Sequence, residues 1–337
     1  MPFISLGDLR DLAGRVLKAS KTSHENAALV AGALVRADAD GIPSHGVARL
    51  PVYADQAKAG KVDGHAVPEI TETGTAAVRV DAKRGFAYPA ITAGLARARD
   101  MVANAGVVAV AIGNSSHAGV LGHHGKDLAA DGLAAMIFVN TPAAIAPWGG
   151  NRALFGTNPI AFAAPRRAGA PLVIDMSMSR VARGKLLTAA RDGTPIPDDW
   201  AFDSAGQPTR DPEAAMAGTM RAMGDAKGTQ LVFMVELLAA ALTGSNFGFE
   251  ASSFFEAEGP APRTGQFLIA IDPDRFAGGG FADRMETIVA AILDQPGTRL
   301  PGLRRFESRA AAERDGVTLP TALHDDIVAA AESGGSA

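Results

Sequence analysis

The chain of 337 residues is 47% hydrophobic and 20% charged, the balance of an ordinary globular protein, so whole-chain disorder and collagen-like repeats are excluded. Its net charge of -4, with no run of Lys or Arg longer than two, offers no footprint for nucleic acid or an anionic membrane; a small-molecule partner follows by elimination. Cysteine is absent, which removes disulfides, thiolate zinc sites and thiol nucleophiles and leaves the chemistry to His, Lys, Arg, Asp, Ser or a cofactor.

The length suggests two domains that need not be contiguous. The opening MPFISLGDLRDLAGR acquires acids at once and lacks a basic, then apolar, leader pattern. No stretch reaches about 18 uninterrupted apolar residues, and a cytoplasmic location is the expectation. Ser5-Leu-Gly-Asp8 predicts the start of a helix running to about Ala19, and Thr22-Ser-His-Glu25 has capping-box spacing ahead of a second helix that Gly41 terminates. His24, in that helix's first turn, reads as solvated.

The next stretch, Asp40-Gly-Ile-Pro-Ser-His-Gly-Val-Ala-Arg-Leu-Pro51, gathers Ser44, His45 and Arg49 in a loop stiffened by Pro43 and turned by Gly41 and Gly46. Arg49 offers a fork of donors to a carboxylate, His45 can exchange a proton and Ser44 can orient either. The same residues would also serve as a turn with Arg49 paired to an acid. Tyr53 to Ala59 continues as helix to Gly60, and His65 falls in a surface connection.

The periodicity then changes to strand, helix, strand: Ala76 to Asp81, Pro89 to Ala105, and Val107 to Ile112. The turn Asn114-Ser-Ser-His117 follows, ahead of a helix from Val120 to Asp131, and makes His117 a candidate for proton transfer. His123 and His124 invite a metal reading with His117, but the spacings match no standard helical ligand pair, and a place on the polar face of the helix is expected instead. Leu133 to Val139, Ile160 to Ala164 and Leu172 to Asp175 are further strands. Asp175-Met-Ser-Met-Ser-Arg-Val-Ala-Arg-Gly-Lys185 collects hydroxyls and bases suited to ribose and phosphate, or equally a solvated helix start. Gly224-Asp-Ala-Lys-Gly228 precedes an apolar helix, Thr229 to Leu242, whose N-terminal amides can receive an anion beside Lys227. Gln266 to Ile271 is a strand, Phe281 to Leu293 an amphipathic helix, Leu300 to Arg305 a turn with two arginines, and the tail after Ser333 is expected to fray. Neither G-x-G-x-x-G nor G-x-x-x-x-G-K-[ST] occurs, so a Rossmann or P-loop site is not supported.

The segments DGIPSHGVARLPVY, GNSSHAGVLGHHG, NTPAAIAPWGGNRALFGTNPIAFAAP, VIDMSMSRVARGK, KGTQLVFMVELLAAALTG and RLPGLRR, in this order, resemble the malate/L-lactate dehydrogenase family that is unrelated to the Rossmann lactate dehydrogenases. The resemblance covers roughly residues 5 to 310. It implies an α/β fold with a helical N- and C-terminal region and a largely antiparallel cofactor-binding sheet, a homodimer, and NAD(P)-dependent hydride transfer between a 2-hydroxy and a 2-oxo acid. Sulfolactate, ureidoglycolate and cyclic imino-acid branches belong to the family.

The implied division is a helical domain from 1–72 with 284–337 and a mixed α/β domain from 73–283. Carried over by motif, His45 and His117 are the acid-base residues and Ser44 and Arg49 the substrate contacts. Asn140, Asp175, Met176, Ser177, Ser179, Lys227 and Pro301, Gly302 and Leu303 are the implied cofactor contacts. The chain departs from the family where Asp225-Ala226-Lys227-Gly228 replaces Gly-His-Lys-Gly and where Leu303 replaces an acid. Lys185 stands where imino-acid reductases of the family tend to have an acid; a lysine there opposes an iminium and suits an anion. The expected substrate is therefore a small 2-hydroxy acid, with a second anionic group possible. Arg180 and Arg183 add to that basic wall or meet the 2'-phosphate of NADP, which makes NADP the expected cofactor over NAD. The alternatives are an NADPH-dependent cyclic imino-acid reductase and, in another class, a catalytically silent binding protein on the same fold.

Overall fold

The computed structural model describes residues 2–333; the tail after Ser333 lies outside them. A short strand β1 (Phe3–Ile4) leads into α1 (Leu6–Lys18), which Ser5 caps by accepting the Asp8 N–H at 3.1 Å while its hydroxyl donates to the Asp8 carboxylate at 2.7 Å. Leu9, Leu12, Ala13, Val16 and Leu17 form the buried stripe that helical spacing dictates. The second helix, α2 (His24–Ala39), is capped one residue later than expected: Ser23, not Thr22, accepts the Asn26 N–H, because the Thr22 hydroxyl is turned inward to the Ser20 carbonyl. Two single 3-10 turns, Pro43–His45 and Val47–Arg49, run directly into α3 (Leu50–Ala59), which Gly60 ends at φ 76°.

The central layer begins with β2 (Glu69–Gly74), β3 (Ala77–Asp81), α4 (Ala87–Ala105), β4 (Val107–Ser115), α5 (Leu121–Ala130), β5 (Ala134–Val139), β6 (Ile160–Ala164) and β7 (Leu172–Met176). An excursion follows through α6 (Arg183–Asp192), β8 (Ala201–Phe202), α7 (Pro212–Ala217), β9 (Thr219–Met220) and α8 (Asp225–Glu236). A five-residue π turn, Leu237–Ala241, extends α8, and the chain re-enters the sheet as β10 (Thr264–Ile271). It closes with α9 (Pro273–Ala277), α10 (Phe281–Leu293), α11 (Leu303–Asp315), β11 (Val317–Thr318) and α12 (Thr321–Ser333).

The seven-stranded sheet has the order β2-β3-β4-β10-β5-β6-β7. Only β3 and β4 pair in parallel, joined by the α4 crossover; every other neighbouring pair is antiparallel. This largely antiparallel α/β fold explains the missing dinucleotide fingerprint, which belongs to parallel βαβ units. Val80, Val110, Ile112, Ile137 and Leu268 of the sheet pack on Ile91 and Leu95 of α4 and Leu128 of α5. The approach is close at Gly94, where a Cβ would lie 2.9 Å from Val110.

A second core joins α1, α2, α3 and α12, with Leu9, Leu34, Leu50 and Ile327 at its centre, and β1 pairs with β11 beside it. A third unites Ile145, Met178, Leu186, Ile196 and Val232 under the excursion. Helix α10 packs on the sheet, with Met285 against Ala134 and Ala164.

Strand β2 and the helices α11 and α12 were not legible. All six residues of β2 are exposed, so it lacks the alternation that announces a strand. The histidine pair also corrects its expectation. His123 is buried, and its Nε2 lies 2.9 Å from Asp40, which Arg309 of α11 also contacts. His124 is half-buried with Nε2 3.2 Å from the Ala118 carbonyl. Helix α5 has no polar face at these positions because α2 and α11 pack there.

Candidate active site

A cleft of about 1070 Å³ is lined by the 3-10 turns, the β4–α5 connection, the end of β7 and the first turn of α6. His45 and Arg49 enter from the two 3-10 turns. The backbone there is held from behind by Asp38, whose carboxylate accepts the Val47 N–H at 2.7 Å. Gly46 is required at this point: a Cβ would lie 2.0 Å from the Asp38 carboxylate. Burial pushes the Asp38 carboxyl up to about 6, with the Val47 N–H pulling it back.

The loop residues organise one another. Ser44 Oγ lies 3.0 Å from His45 Nδ1, and its carbonyl accepts from Arg49 Nε at 2.8 Å. No carboxylate pairs with Arg49 among the described residues; its guanidinium lies 4.4 Å from the centre of the Phe255 ring instead. The alternative of an acid-paired turn residue therefore falls away.

His117 comes from the stretch between β4 and α5. The strand runs further than expected, to Ser115, carried past Asn114 at φ 55°. The His117 ring sits 5.4 Å from that of His45 and 5.2 Å from that of Phe254, and its Nδ1 is 2.5 Å from the Tyr53 hydroxyl. Tyr53 in turn is 3.3 Å from the Tyr88 hydroxyl. With Nδ1 engaged on both imidazoles, Nε2 is left on each for a ligand.

Burial holds both histidines below the ordinary imidazole range, His45 at about 4 and His117 well below 6.5. For His45 the charge of Arg49 adds to burial, Asp175 opposes it and Arg305 lowers it further. For His117 the charges of Arg49 and His45 act with burial. Both are neutral at pH 7, ready to accept a proton from a hydroxyl.

The cleft is also lined by Asp175, Met176 and Ser177 at the end of β7 and by Arg183 in the first turn of α6. Asp175 accepts the Gly122 N–H at 3.0 Å and Arg305 Nη1 at 2.9 Å. Arg183 is half-buried; one nitrogen reaches the Ala143 carbonyl at 3.3 Å, and no acid pairs with it among the described residues. Burial lowers its affinity for a proton.

Thus His45, His117, Ser44, Arg49, Asp175, Met176, Ser177 and Arg183 line one cleft, while the other expected site residues do not. Asn140 is wholly buried, giving Nδ2 to the Asn246 carbonyl and accepting from Gly265 N–H, and orders the adjoining Thr141–Ala143 segment that does line the cleft. Ser179 is buried with its hydroxyl on the Val181 carbonyl. Arg180 pairs with Asp199 at 2.7 Å. Lys185 is exposed, 5.8 Å over the Trp200 ring, and Lys227 is exposed at the start of α8. Pro301, Gly302 and Leu303 form the cap of α11, where Gly302 adopts φ 82°, and this turn delivers Arg305 to the cleft.

Arg305, Tyr53, Phe254 and Phe255 were missed as site residues. Tyr53 carried a usable signal, since it stands four residues after Arg49 and shares its helical face. Phe254 and Phe255 lie in an irregular segment that no periodicity marks.

A cleft that gathers two imidazoles with the Arg49 and Arg183 guanidiniums on this fold suits an oxidoreductase of the non-Rossmann type acting on an anion. The chain belongs to the malate/L-lactate dehydrogenase family, whose family model matches residues 4–328. It is 50% identical over 331 residues, 98% of each chain, to a (2R)-3-sulfolactate dehydrogenase (NADP(+)) from Chromohalobacter salexigens. It is 41% identical to a Delta(1)-pyrroline-2-carboxylate/Delta(1)-piperideine-2-carboxylate reductase from Pseudomonas syringae pv. tomato, covering 95% of this chain and 93% of that one. The crystal structure of delta1-piperideine-2-carboxylate reductase from that organism superposes with a TM-score of 0.93 at 40% identity, over 98% of this chain and 100% of the other. The sulfolactate dehydrogenase of Methanocaldococcus jannaschii gives 0.91 at 27% identity, over 99% and 98%.

Proposed function

We propose that the protein interconverts a 2-hydroxy acid bearing a second anionic group, of the sulfolactate type, with its 2-oxo acid, using NADP(H). The observation that carries this reading is that two guanidiniums lining the cleft, Arg49 beside His45 and Arg183 in the first turn of α6, have no carboxylate partner among the described residues. Two separated cations suit an acid with two anionic ends. They oppose the iminium that a cyclic imine must become before it accepts hydride. Lys185 is exposed outside the cleft and does not bear on the choice. The relative named as a sulfolactate dehydrogenase at 50% identity agrees with it.

The residues present fit a dinucleotide. The cleft is at the upper end of ligand-site volumes. The first turn of α6, with Arg183 and Gly184, lines it, and the N-cap Ala182 gives those amides no side-chain cap. Open first-turn amides suit a phosphate. Asp175, Met176 and Ser177 would hold the cofactor, which supplies or accepts the hydride. Arg49 takes the substrate carboxylate in a charge-assisted pair. In oxidation, His45 Nε2 accepts the proton of the 2-hydroxyl; in reduction it returns that proton to the oxygen. Ser44 fixes the His45 ring, and His117, fixed by Tyr53, donates to or accepts from the same oxygen.

A homodimer is part of the proposal. Leu231, Phe233, Met234 and Leu237 of α8 and its π turn are each more than 40% exposed, a patch that a second copy would cover. No helix among the described residues is long and apolar enough to cross a membrane. A cytoplasmic setting is proposed with the cofactor. The test is an absorbance screen at the nicotinamide band with NADPH and NADH across sulfopyruvate, oxaloacetate, pyruvate and Δ1-pyrroline-2-carboxylate. The reading fails if the cyclic imine gives the highest kcat/KM. A catalytically silent protein would turn over none of them and bind neither cofactor.

A further inference from the structure

We propose that Lys61, together with Gln56, is a positioning residue for the active site: from behind the cleft it holds the Ser253–Glu258 segment so that Phe254 lies on His117 and Phe255 beneath Arg49. The inference rests on the reading of His117 and Arg49 as active-site residues.

Lys61 follows the end of α3 and is 2% exposed, a rare state for a lysine unless every donor is satisfied. Its ammonium has three donors, and they meet three main-chain carbonyls of one segment: Ser253 at 2.8 Å, Glu256 at 2.9 Å and Glu258 at 3.0 Å. Gln56, also buried and five residues earlier, in α3, donates to the Phe254 carbonyl at 3.2 Å and the Glu256 carbonyl at 3.0 Å. The segment is neither helix nor strand, so these carbonyls have no ladder of their own. An ammonium is suited to the task because carbonyls converging from several directions need a compact donor with three hydrogens.

The other side of the same segment faces the cleft. Ser253, Phe254, Phe255 and Glu256 all line it. The Phe254 ring, 7% exposed, is 5.2 Å from His117, and the Phe255 ring is 4.4 Å from the Arg49 guanidinium. The segment is thus one layer thick between the Lys61 clamp and the two functional side chains, and its place depends on the clamp.

Burial is the first cause of the lowered proton affinity of His117, and Phe254 supplies part of that burial. The other groups facing His117 are Tyr53 from α3 and His45 and Arg49 from the 3-10 turns. Only the phenylalanine comes from the clamped segment. Releasing it hydrates the imidazole, and His117 then titrates at higher pH while Arg49 and His45 continue to hold it below the ordinary value.

The test uses the full chain with Lys61→Met, Gln56→Leu and Phe254→Leu. The His117 ring is followed by NMR titration, assigned through His117→Asn, and steady-state kinetics are measured with whichever 2-oxo acid the unmodified protein reduces. Lys61→Met is expected to raise the His117 titration by about one pH unit or more and to raise KM for the oxo acid roughly tenfold to a hundredfold, as displaced positioning groups do. Phe254→Leu, with the clamp intact, reproduces the titration shift. The proposal is overturned if Lys61→Met unfolds at lower urea yet leaves the His117 titration and KM unchanged, since the lysine would then be structural only. Should Lys61→Met not fold, Gln56→Leu decides: an unchanged His117 titration overturns the clamp, and a raised one supports it. The NMR readout needs no turnover, so failure of the substrate reading leaves a distinct signature: no oxo acid reduced, with the titration shift still present.

Discussion

Replacing His45 with Asn tests the proton-transfer assignment, and the structure specifies the size and the pH range of the effect. Burial together with Arg49 and Arg305 holds the free imidazole at about 4, with Asp175 opposing. The pH dependence of kcat/KM reports the free protein. In the oxidative direction the base must be neutral. At 6.5, where an ordinary histidine would be half protonated, a group titrating at about 4 is neutral in all but roughly one molecule in three hundred. Oxidative kcat/KM should therefore stay level, as far as this group is concerned, from neutrality down to about pH 5 and fall tenfold per unit only below 4. In the reductive direction the same group must carry a proton, so kcat/KM should rise as pH falls from 7 toward 4. His45→Asn should lower turnover roughly a hundredfold to ten-thousandfold in both directions and leave cofactor affinity nearly intact. Initial velocities at the nicotinamide band across this range, with cofactor affinity from fluorescence titration, make the measurement. An oxidative profile that breaks near 6.5 refutes the electrostatic reasoning. Near-normal turnover in His45→Asn with loss in His117→Asn reverses the assignment.

Three further outcomes are expected. Arg49→Ala should cost about 1.5 to 3 kcal/mol of substrate binding through loss of a charge-assisted pair; an unchanged KM removes Arg49 from the substrate site. Arg183→Ala should raise KM for the dianionic substrate, whereas Arg180→Ala should not, because Arg180 is engaged with Asp199 away from the cleft; an equal effect of the two on KM contradicts the assignment. Folding stability, by urea titration, should decline as pH falls from 6.5 to about 4. His45 and His123 titrate at about 4 when folded and His117 and His124 are also lowered, so the unfolded chain binds more protons in this window. Each fully depressed histidine contributes up to about 1.4 kcal/mol per pH unit, and Asp38, raised to about 6, offsets one of them.

Much of the frame was legible because its signals are local. The caps at Ser5 and Gly60, the apolar runs of β4, β5 and β10 and the periodicity of α4 each occur within one stretch of chain. The loop of Ser44, His45 and Arg49 was legible for the same reason. What escaped depends on partners distant in sequence. The exposed β2 exists only because β3 lies beside it. His123 is buried only because α2 brings Asp40 and α11 brings Arg309. Arg305 reaches the cleft because Asp175, a hundred and more residues earlier, receives it. Lys185, Arg183 and Arg180 share one motif of hydroxyls and bases, but Arg183 lines the cleft while Lys185 is exposed and Arg180 pairs with Asp199. The Phe254–Phe255 wall has no periodic signature, since Gln56 of α3 and Lys61 just after that helix hold its carbonyls.

The arrangement of charge also predicts how substrate and proton are linked. Arg49, Arg152, Arg183 and Arg305 line the cleft against only Asp175 and Glu256, an excess of two positive charges. That field, with burial, keeps the imidazoles neutral. A base is thus in place for oxidation, but the donor for reduction is discharged at pH 7. An entering dianion cancels the excess. The charge of Arg49, which lowers His45, is then neutralised by the carboxylate it binds, and a negative oxygen beside the ring favours its protonated form. Binding of the oxo acid should therefore raise the His45 titration and draw a proton from solution, charging the donor at the moment it is needed. By linkage, affinity for the dianion should strengthen as pH falls from neutrality toward 4. Titration calorimetry in buffers of differing ionisation enthalpy measures the uptake directly: a fraction of a proton up to one per site for a dianionic oxo acid, and less for a monoanion such as pyruvate. Binding of the dianion with no proton uptake in this range, or with the same uptake in His45→Asn, would show that the arginines do not set the protonation of His45.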